Sequence, residues 1–379
     1  MDKPQTLTVD AALRAHDVDG KELQPWPHPV NGEDLLDELV ALIEAHVALP
    51  NDAAVAVAIW IVHTWLPGAK FHTPRLTLLS PIRGCGKSTL LDLVGLLVAH
   101  PESTSNISTA AFFRGISQRP QTLLIDEADR FLTDKEDLIG AVNAGFAQNG
   151  AITRCVGDHH QPHRFRCFAP VALAAIGNLP TTIEDRSIVI SLQKRPIGQA
   201  LKRLRRDQPY SFNDRRRQIA SWANDNFDWV KSHDPSIPTE IANDRAKDCA
   251  RPLLAIADAV GGRWCGIGRR ALTDLYARRE GLVEEDLALM LLRDVRGIFD
   301  EMQTDKISSE TIVCKLLQLS DAPWSESHRG KPISKHQLAK LLKPFGIKSK
   351  SLRHGATTSK GYDREDFEEA FQAYLPPPP

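Results

Sequence analysis

The sequence predicts an α/β protein: a parallel sheet with helices on both faces, then a helical region, then a basic C-terminal unit. Three observations predict it. Strand-length apolar runs alternate with helix-length segments between residues 75 and 192, the pattern a parallel sheet requires. A glycine-rich turn, Ser80-Pro81-Ile82-Arg83-Gly84-Cys85-Gly86-Lys87-Ser88-Thr89, joins the first of those runs to a helix. Beyond Pro196 the strand signal stops, and residues 331–360 carry eight Lys or Arg with no Asp or Glu.

Taken in order, residues 1–30 read as a mobile, Pro-bearing arm. Segments 33–47 and 52–66 have helical apolar spacing, with Asp52 placed as an N-cap and Pro67-Gly68 as a stop. Arg75–Leu79 is a strand, Lys87–Val98 a helix, and 103–106 a short strand. Ser108 caps the next helix, Thr122–Ile125 is a strand, and Lys135–Ala147 is a helix. Ile152–Val156 and Arg164–Phe168 form a hairpin, and Val171–Ile176 and Ser187–Leu192 complete the sheet. The expected organisation is an arm (1–30), a core with its N-terminal helices (31–193), a helical region (194–305) and a basic unit (306–379).

The glycine turn is built for a polyphosphate. Gly84 and Gly86 permit backbone angles that aim several N–H groups at one anion. Gly84, Cys85, Gly86, Lys87, Ser88 and Thr89 would hold a nucleotide, with Lys87 on the β- and γ-phosphates and Ser88 on Mg²⁺. Pro81 stands where such turns carry their first glycine. The run Gln121-Thr-Leu-Leu-Ile-Asp126-Glu127 is a strand ending in two carboxylates. Asp126 would hold the metal's water shell and Glu127 would polarise the attacking water. Both segments end predicted strands, where open α/β sheets bind ligands.

Further candidates follow. Asn178 ends a strand expected beside the phosphate-turn strand and would orient the attacking water. Arg186 precedes the fifth strand and would reach into a neighbouring subunit's site, or form a surface pair with Glu184 or Asp185. In the hairpin, His159, His160, His163 and Arg164 would grip DNA phosphates without reading sequence. The alternatives there are a solvated loop, or a zinc site from Cys155, His159, His163 and Cys167, spaced four apart. Arg245 or Arg251 in the helical region would touch the nucleotide, and the sequence does not choose between them. In the basic unit, helix, helix and wing follow in order. Lys335, His336, Lys340 and Lys343 would lie on or near a recognition helix, with Lys348, Lys350, Arg353 and Lys360 on the wing.

The bulk numbers exclude less than they bound. The 379 residues suggest two or three domains, and 42% hydrophobic residues suffice for cores. A formal net charge of −1 gives no global pull toward nucleic acid or membrane. The six cysteines are scattered without a C-x-x-C pair, so reduced thiols in a cytoplasmic setting are expected. No signal peptide or membrane-length apolar run is read.

Four segments carry a resemblance: Ser80-Pro-Ile-Arg-Gly-Cys-Gly-Lys-Ser-Thr89, Thr122-Leu-Leu-Ile-Asp-Glu-Ala-Asp129, Ile176-Gly-Asn-Leu-Pro180 and Asp185-Arg-Ser-Ile-Val-Ile190. Their order resembles that of AAA+ ATPases. More narrowly, with Asp244–Asp248, Ala255–Asp258 and Gly261-Gly-Arg-Trp264, the chain resembles the domain-of-unknown-function family 3631 over roughly residues 35–375. That family is seen with primase modules of bacteria, phages and mobile elements. The resemblance implies a three-layer P-loop core with a helical lid and a winged helix. It implies ATP and Mg²⁺ as ligands, and Lys87, Ser88, Asp126, Glu127, Asn178 and Arg186 in the roles above. It also implies a homo-oligomeric ring, expected to be hexameric, that tracks DNA as a helicase or translocase, with priming left to a separate replication protein. Cys249-Ala250-Arg251 stands where the family resemblance leads one to expect a tryptophan-containing turn.

Overall fold

A computed structural model describes residues 23–105, 107–132, 135–156, 160–196, 198–205, 212–319, 322–325, 331–354 and 357–375. It divides into two compact units, residues 1–277 and 278–379.

The first unit opens with two helices, α1 (Gly32–His46) and α2 (Ala53–Thr64). Asn31 caps α1 by accepting from the Glu33 and Asp34 N–H groups. Asp52, expected as the cap of α2, adopts φ +62° and makes no side-chain cap bond. Every residue of α2 is buried, which is why it shows no amphipathic stripe.

The sheet contains β1 (Arg75–Ser80), β2 (Pro101–Thr104), β3 (Thr122–Ile125), β6 (Val171–Ile176) and β7 (Ser187–Ser191), in the order β2-β3-β6-β1-β7. Each neighbouring pair is parallel. Strands β4 (Ala151–Val156) and β5 (Gln161–Arg166) form a separate antiparallel hairpin. Helices α3 (Lys87–Gly95), α4 (Thr109–Gln118), α5 (Ala128–Leu132), α6 (Glu136–Ala144) and α7 (Thr181–Glu184) connect the strands.

Strand periodicity sorts the core into two layers. Leu76, Leu78, Ala172, Ala174, Ile188 and Ile190 face one cluster, shared with α1, α2, α3, α8 (Asn213–Ser232), α9 (Asp244–Val260) and the start of α10 (Trp264–Met302). Leu79, Leu123, Ile125, Leu173, Ala175 and Val189 face the other, against α4, α5 and α6. Trp60 and Trp65 are buried on the first face and donate to Pro74 O at 2.8 Å and Leu97 O at 2.9 Å.

Helices α8 and α9 therefore share one core with the sheet, and the expected boundary at 193/194 does not divide the described structure. Nor does 305/306: the division falls within the 39-residue helix α10, which runs through Gly281. The described end of the arm is anchored rather than mobile. Trp26 N–H donates to Ser221 Oγ at 3.0 Å, and the Arg217 guanidinium sits 5.1 Å from the Trp26 ring centroid. Residues 1–22 lie outside the described residues.

The second unit runs on from α10 through β8 (Lys306–Ser308), α11 (Ser309–Leu317), α12 (Lys335–Leu342), β9 (Lys350–His354), β10 (Thr357–Asp363) and α13 (Glu365–Tyr374). Its antiparallel sheet has the order β8-β10-β9. Ser334 and Gln337 form a capping box at α12. Phe299, Tyr362, Phe367 and Trp324 fill its core, with Trp324 donating to Asp294 at 2.8 Å.

Candidate functional site

β1 is buried along its whole length and delivers the glycine turn at its C-terminal end. Gly84 and Gly86 take φ +81° and +92°, angles that a side chain would oppose. Gly86 is the N-cap of α3 and offers no side-chain acceptor, so the first N–H groups of the helix face outward beside the turn. Pro81 lacks an N–H, and the turn is braced instead by side chains. Ser80 Oγ donates to Ile82 O at 2.7 Å, Cys85 Sγ to the same carbonyl at 3.4 Å, and Lys87 Nζ to Ser80 Oγ at 2.5 Å.

β3 brings the carboxylates. It lies one strand away, across β6, and ends at Asp126 and Glu127. Glu127 has φ +53°, a costly conformation for a non-glycine residue, held where Asp126 Oδ1 accepts the Glu127 N–H at 2.9 Å. Arg130 pairs with the Glu127 carboxylate at 2.9 Å. Asp129 accepts from Ile176 N–H at 3.0 Å and so ties α5 to the end of β6. Arg83, Gly84–Thr89, Asp126, Glu127, Asp129 and Arg130 together line one open cleft of about 430 Å³. Asn178 is exposed at the end of β6, one residue after Gly177, whose N–H donates to Ser80 O at 3.0 Å.

Ser88 and Asp126 in that cleft supply one hydroxyl and one carboxylate. That set fits Mg²⁺, which keeps several waters and takes the rest of its ligands from phosphates. Among the described residues no cluster of three or more His, Cys, Asp or Glu is arranged to hold a metal by itself. The zinc alternative fails in the hairpin. Cys155 pairs across the ladder with Pro162 and Arg154 with His163, so Cys155 and His163 point to opposite faces. Cys167 is buried beyond the hairpin, and His159 lies outside the described residues.

Arg186 lies at the other end of the sheet. Its carbonyl accepts from Arg75 N–H at 2.9 Å, so it flanks the start of β1, about 16 Å of strand from the phosphate turn. Its guanidinium donates to Thr182 O at 2.6 Å. Burial and then the neighbouring Arg245 push its pKa down. Arg245 stacks 5.4 Å from the Phe146 ring centroid. Arg251 pairs with Asp234 and is felt by His72, which lies just before β1. The expectation that Arg245 or Arg251 touches this chain's own nucleotide is therefore corrected: α9 packs against the start of β7, which carries both arginines to the end of the sheet remote from Lys87.

A second, larger cavity of about 1100 Å³ shares Gly84, Cys85, Gly86 and Thr89 with the first. Its far wall is made by His46–Ala48 and by Arg195 and Leu201–Arg205. None of these basic residues is among the candidates read from the sequence, although Lys202-Arg203-Leu204-Arg205 is a visible charge run eleven positions after the last strand of the sheet ends at Ser191.

The DNA-directed candidates are dispersed. His160 and Arg164 lie on the exposed hairpin, where His163 packs against Phe165 and Arg164 donates to Asn149 O at 2.9 Å. Lys335, Lys340 and Lys343 are exposed on or just after α12, with Lys335 3.2 Å from Glu310. Lys348 is exposed, whereas Lys350 is neutralised by Asp363 at 2.6 Å and Asp366 at 2.8 Å. Those two carboxylates lie just beyond the acid-free window and correct the reading of Lys350 as a free phosphate contact. The side chain of Arg353 lies outside the described residues.

The fold and the cleft define a mixed α/β protein with a five-stranded parallel sheet, consistent with a Rossmann-like or P-loop core. Residues 191–374 match the family described as "Protein of unknown function (DUF3631)". The match begins at the last residue of β7, so the phosphate turn and the acidic pair lie before it. The chain is 31% identical over 164 residues to the "Uncharacterized 28.9 kDa protein in xis 5'region" of Saccharopolyspora erythraea. That alignment covers 43% of this chain and 60% of the relative. Among the described residues no helix is long and apolar enough to cross a membrane.

Proposed function

We propose that this chain is a Mg²⁺-dependent ATPase that assembles into a ring, most simply a hexamer, and moves along DNA as a helicase or translocase of a phage- or mobile-element-type replication system. The observation that carries the reading is the single cleft in which Lys87 and Ser88 face Asp126 and Glu127. The glycine-turn N–H groups and Lys87 would hold the β- and γ-phosphates. Mg²⁺, held through Ser88 and Asp126, would neutralise charge on the transferring phosphoryl. Glu127 would orient water, with Asn178 beside it. Arg186, remote from its own turn, would act on the nucleotide of the next copy, and the AAA+ reading draws its support from this placement. The strand-helix-helix-hairpin order of the second unit supports a winged helix, whose exposed Lys340, Lys343 and Lys348 would meet phosphates.

One observation favours a second reading. Glu127 is engaged by Arg130. A chain that kept this pair closed would bind ATP, hydrolyse it slowly, and serve as an ATP-switched DNA-binding loader, regulator or defence ATPase. Strand displacement by the full chain with ATP separates the two. Unwinding that is lost in Glu127→Gln while DNA binding persists supports the motor. DNA-stimulated hydrolysis without displacement supports the switch.

A further inference from the structure

The two cavities divide the phosphate turn between them. Lys87, Ser88, Asp126 and Glu127 open only to the smaller cleft, whereas Gly84, Cys85, Gly86 and Thr89 are shared. A nucleotide laid across those glycines with its γ-phosphate at Lys87 and Glu127 therefore extends its ribose and base into the larger cavity. The segment walling that cavity is fixed in place. Lys202 N–H donates to Ala45 O at 2.7 Å, and Leu204 packs against the core cluster of the helical face. With Leu204 turned inward, Lys202 and Arg203 stay exposed, and Arg195 joins them on the same wall. Among the described residues, none of Arg195, Lys202 and Arg203 forms an ion pair of the kind that engages Arg215 or Arg251. The acid of this cavity, Asp92, sits in the third position after Thr89 on α3 and has a partner of its own.

We propose that Arg195, Lys202 and Arg203 form a cationic arm that holds the α-phosphate and ribose end of the bound nucleoside triphosphate in its own subunit. The inference rests on the nucleotide reading above and adds residues to it. It supplies a cationic contact within the subunit, which Arg245 and Arg251, remote from Lys87, do not. Because the arm lies on the side away from Glu127, its contacts are the same for a diphosphate and a triphosphate, and the same before and during hydrolysis. Such uniform binding raises affinity without changing the chemical step.

The experiment is a titration of the full chain with MgATP and with MgADP, comparing wild type with a Lys202→Ala/Arg203→Ala double variant. Two charge-assisted contacts at a part-exposed site predict that both nucleotides weaken together by about tenfold. In hydrolysis, KM should rise by about the same factor while kcat stays within about twofold. A charge-keeping Lys202→Arg/Arg203→Lys pair should retain wild-type affinity, and an unchanged melting temperature of the alanine pair would exclude a folding defect. Affinities that stay within twofold in the alanine pair overturn the arm. So does a loss confined to MgATP with kcat reduced, which would place these cations at the γ-phosphate. A wild-type chain that binds neither nucleotide overturns the nucleotide reading itself, and the arm with it.

Discussion

At the C-terminal end of the sheet, β1 and β3 release Gly84–Lys87 and Asp126–Glu127 into one cleft. At the N-terminal end, β1 and β7 start beside Arg186 and Arg245, with His72 on the same edge. The first end has a glycine turn at a helix N-terminus facing two carboxylates, the pair to which the proposal above gives phosphate binding and hydrolysis. The second has two guanidiniums close enough for Arg245 to lower the Arg186 pKa, beside a half-exposed Phe71. Asp185 and Asp248 of the same chain lie beside these arginines, and the chain's own glycine turn lies at the opposite end of the strands. In the ring proposed above, each end would supply what the other lacks. Joining unlike ends of successive copies is a heterologous contact, which closes into a ring when the rotation allows.

The largest expected effect breaks this comparison at its basic end. Arg186→Ala should lower ATP hydrolysis by the assembled protein about 10³-fold while ATP affinity stays near wild type. Mixing it with Lys87→Ala should restore part of the activity, because one partner keeps the pocket and the other keeps the arginines. No recovery on mixing, or full activity in Arg186→Ala alone, would show that the two ends do not meet. At the acidic end, Glu127→Gln should cost about 10² in phosphate release and leave nucleotide binding intact. Equal loss of binding and turnover would instead make Glu127 a structural residue, held by its positive φ and by Arg130.

The glycine turn and the acidic pair stood out in the sequence, as did Arg186, but the placement of Arg245 beside Arg186 did not, for a physical reason. Gly84, Gly86 and Lys87 act through local backbone geometry, and an apolar strand ending in Asp126-Glu127 declares itself within seven residues. The strands themselves were equally readable, because β1, β3, β6 and β7 are buried on both faces and appear as continuous apolar runs. Arg245 and Arg251 were readable as helical but not as remote, since nothing local says against which end of the sheet α9 packs. That depends on contacts distant in sequence, among them Cys249 meeting the carbonyl of Asp185 across 64 residues. The three-residue β8 is too short to show a period, and Gly281 looks like a stop although α10 runs through it. Lys350 looked unpaired because its acids, Asp363 and Asp366, come from the end of the hairpin and the helix after it.

A pH titration sharpens the comparison, because the basic end carries a buried histidine. His63 at the end of α2 shares a 2.9 Å hydrogen bond with Thr73, two residues before β1. Burial, and then Arg75, push its pKa down to about 4 from 6.5. The unfolded chain therefore binds a proton that the folded chain refuses between those values, and stability falls as pH drops from about 6.5 toward 4. The loss should be on the order of 2–3 kcal/mol. Urea midpoints at pH 7 and pH 4.5 measure it, and His63→Gln should remove most of the difference specific to this group. An unchanged pH dependence in that variant would assign the acid sensitivity to carboxylates elsewhere.

The smallest expected effect is also the one that decides whether Arg245 belongs with Arg186 or with Lys87. Cys249 lies one turn after Arg245 on α9, and its thiol reaches the carbonyl of Asp185, so the same face of the helix presents Arg245 beside Arg186. A 3.8 Å pair with Asp248 leaves Arg245 only loosely held. Acting with Arg186 on a neighbour's phosphates, Arg245 should matter in turnover and not in this subunit's binding. Arg245→Ala should then lower kcat by about tenfold, with the MgATP affinity of dilute protein unchanged, and the loss should be concentration-dependent if assembly shares the contact. An arginine that served its own turn would behave in the opposite way: affinity would fall at every protein concentration, and mixing with Lys87→Ala would rescue nothing. The outcome separates a contact within one copy from a contact between two, which is the distinction on which the opposed ends of this sheet depend.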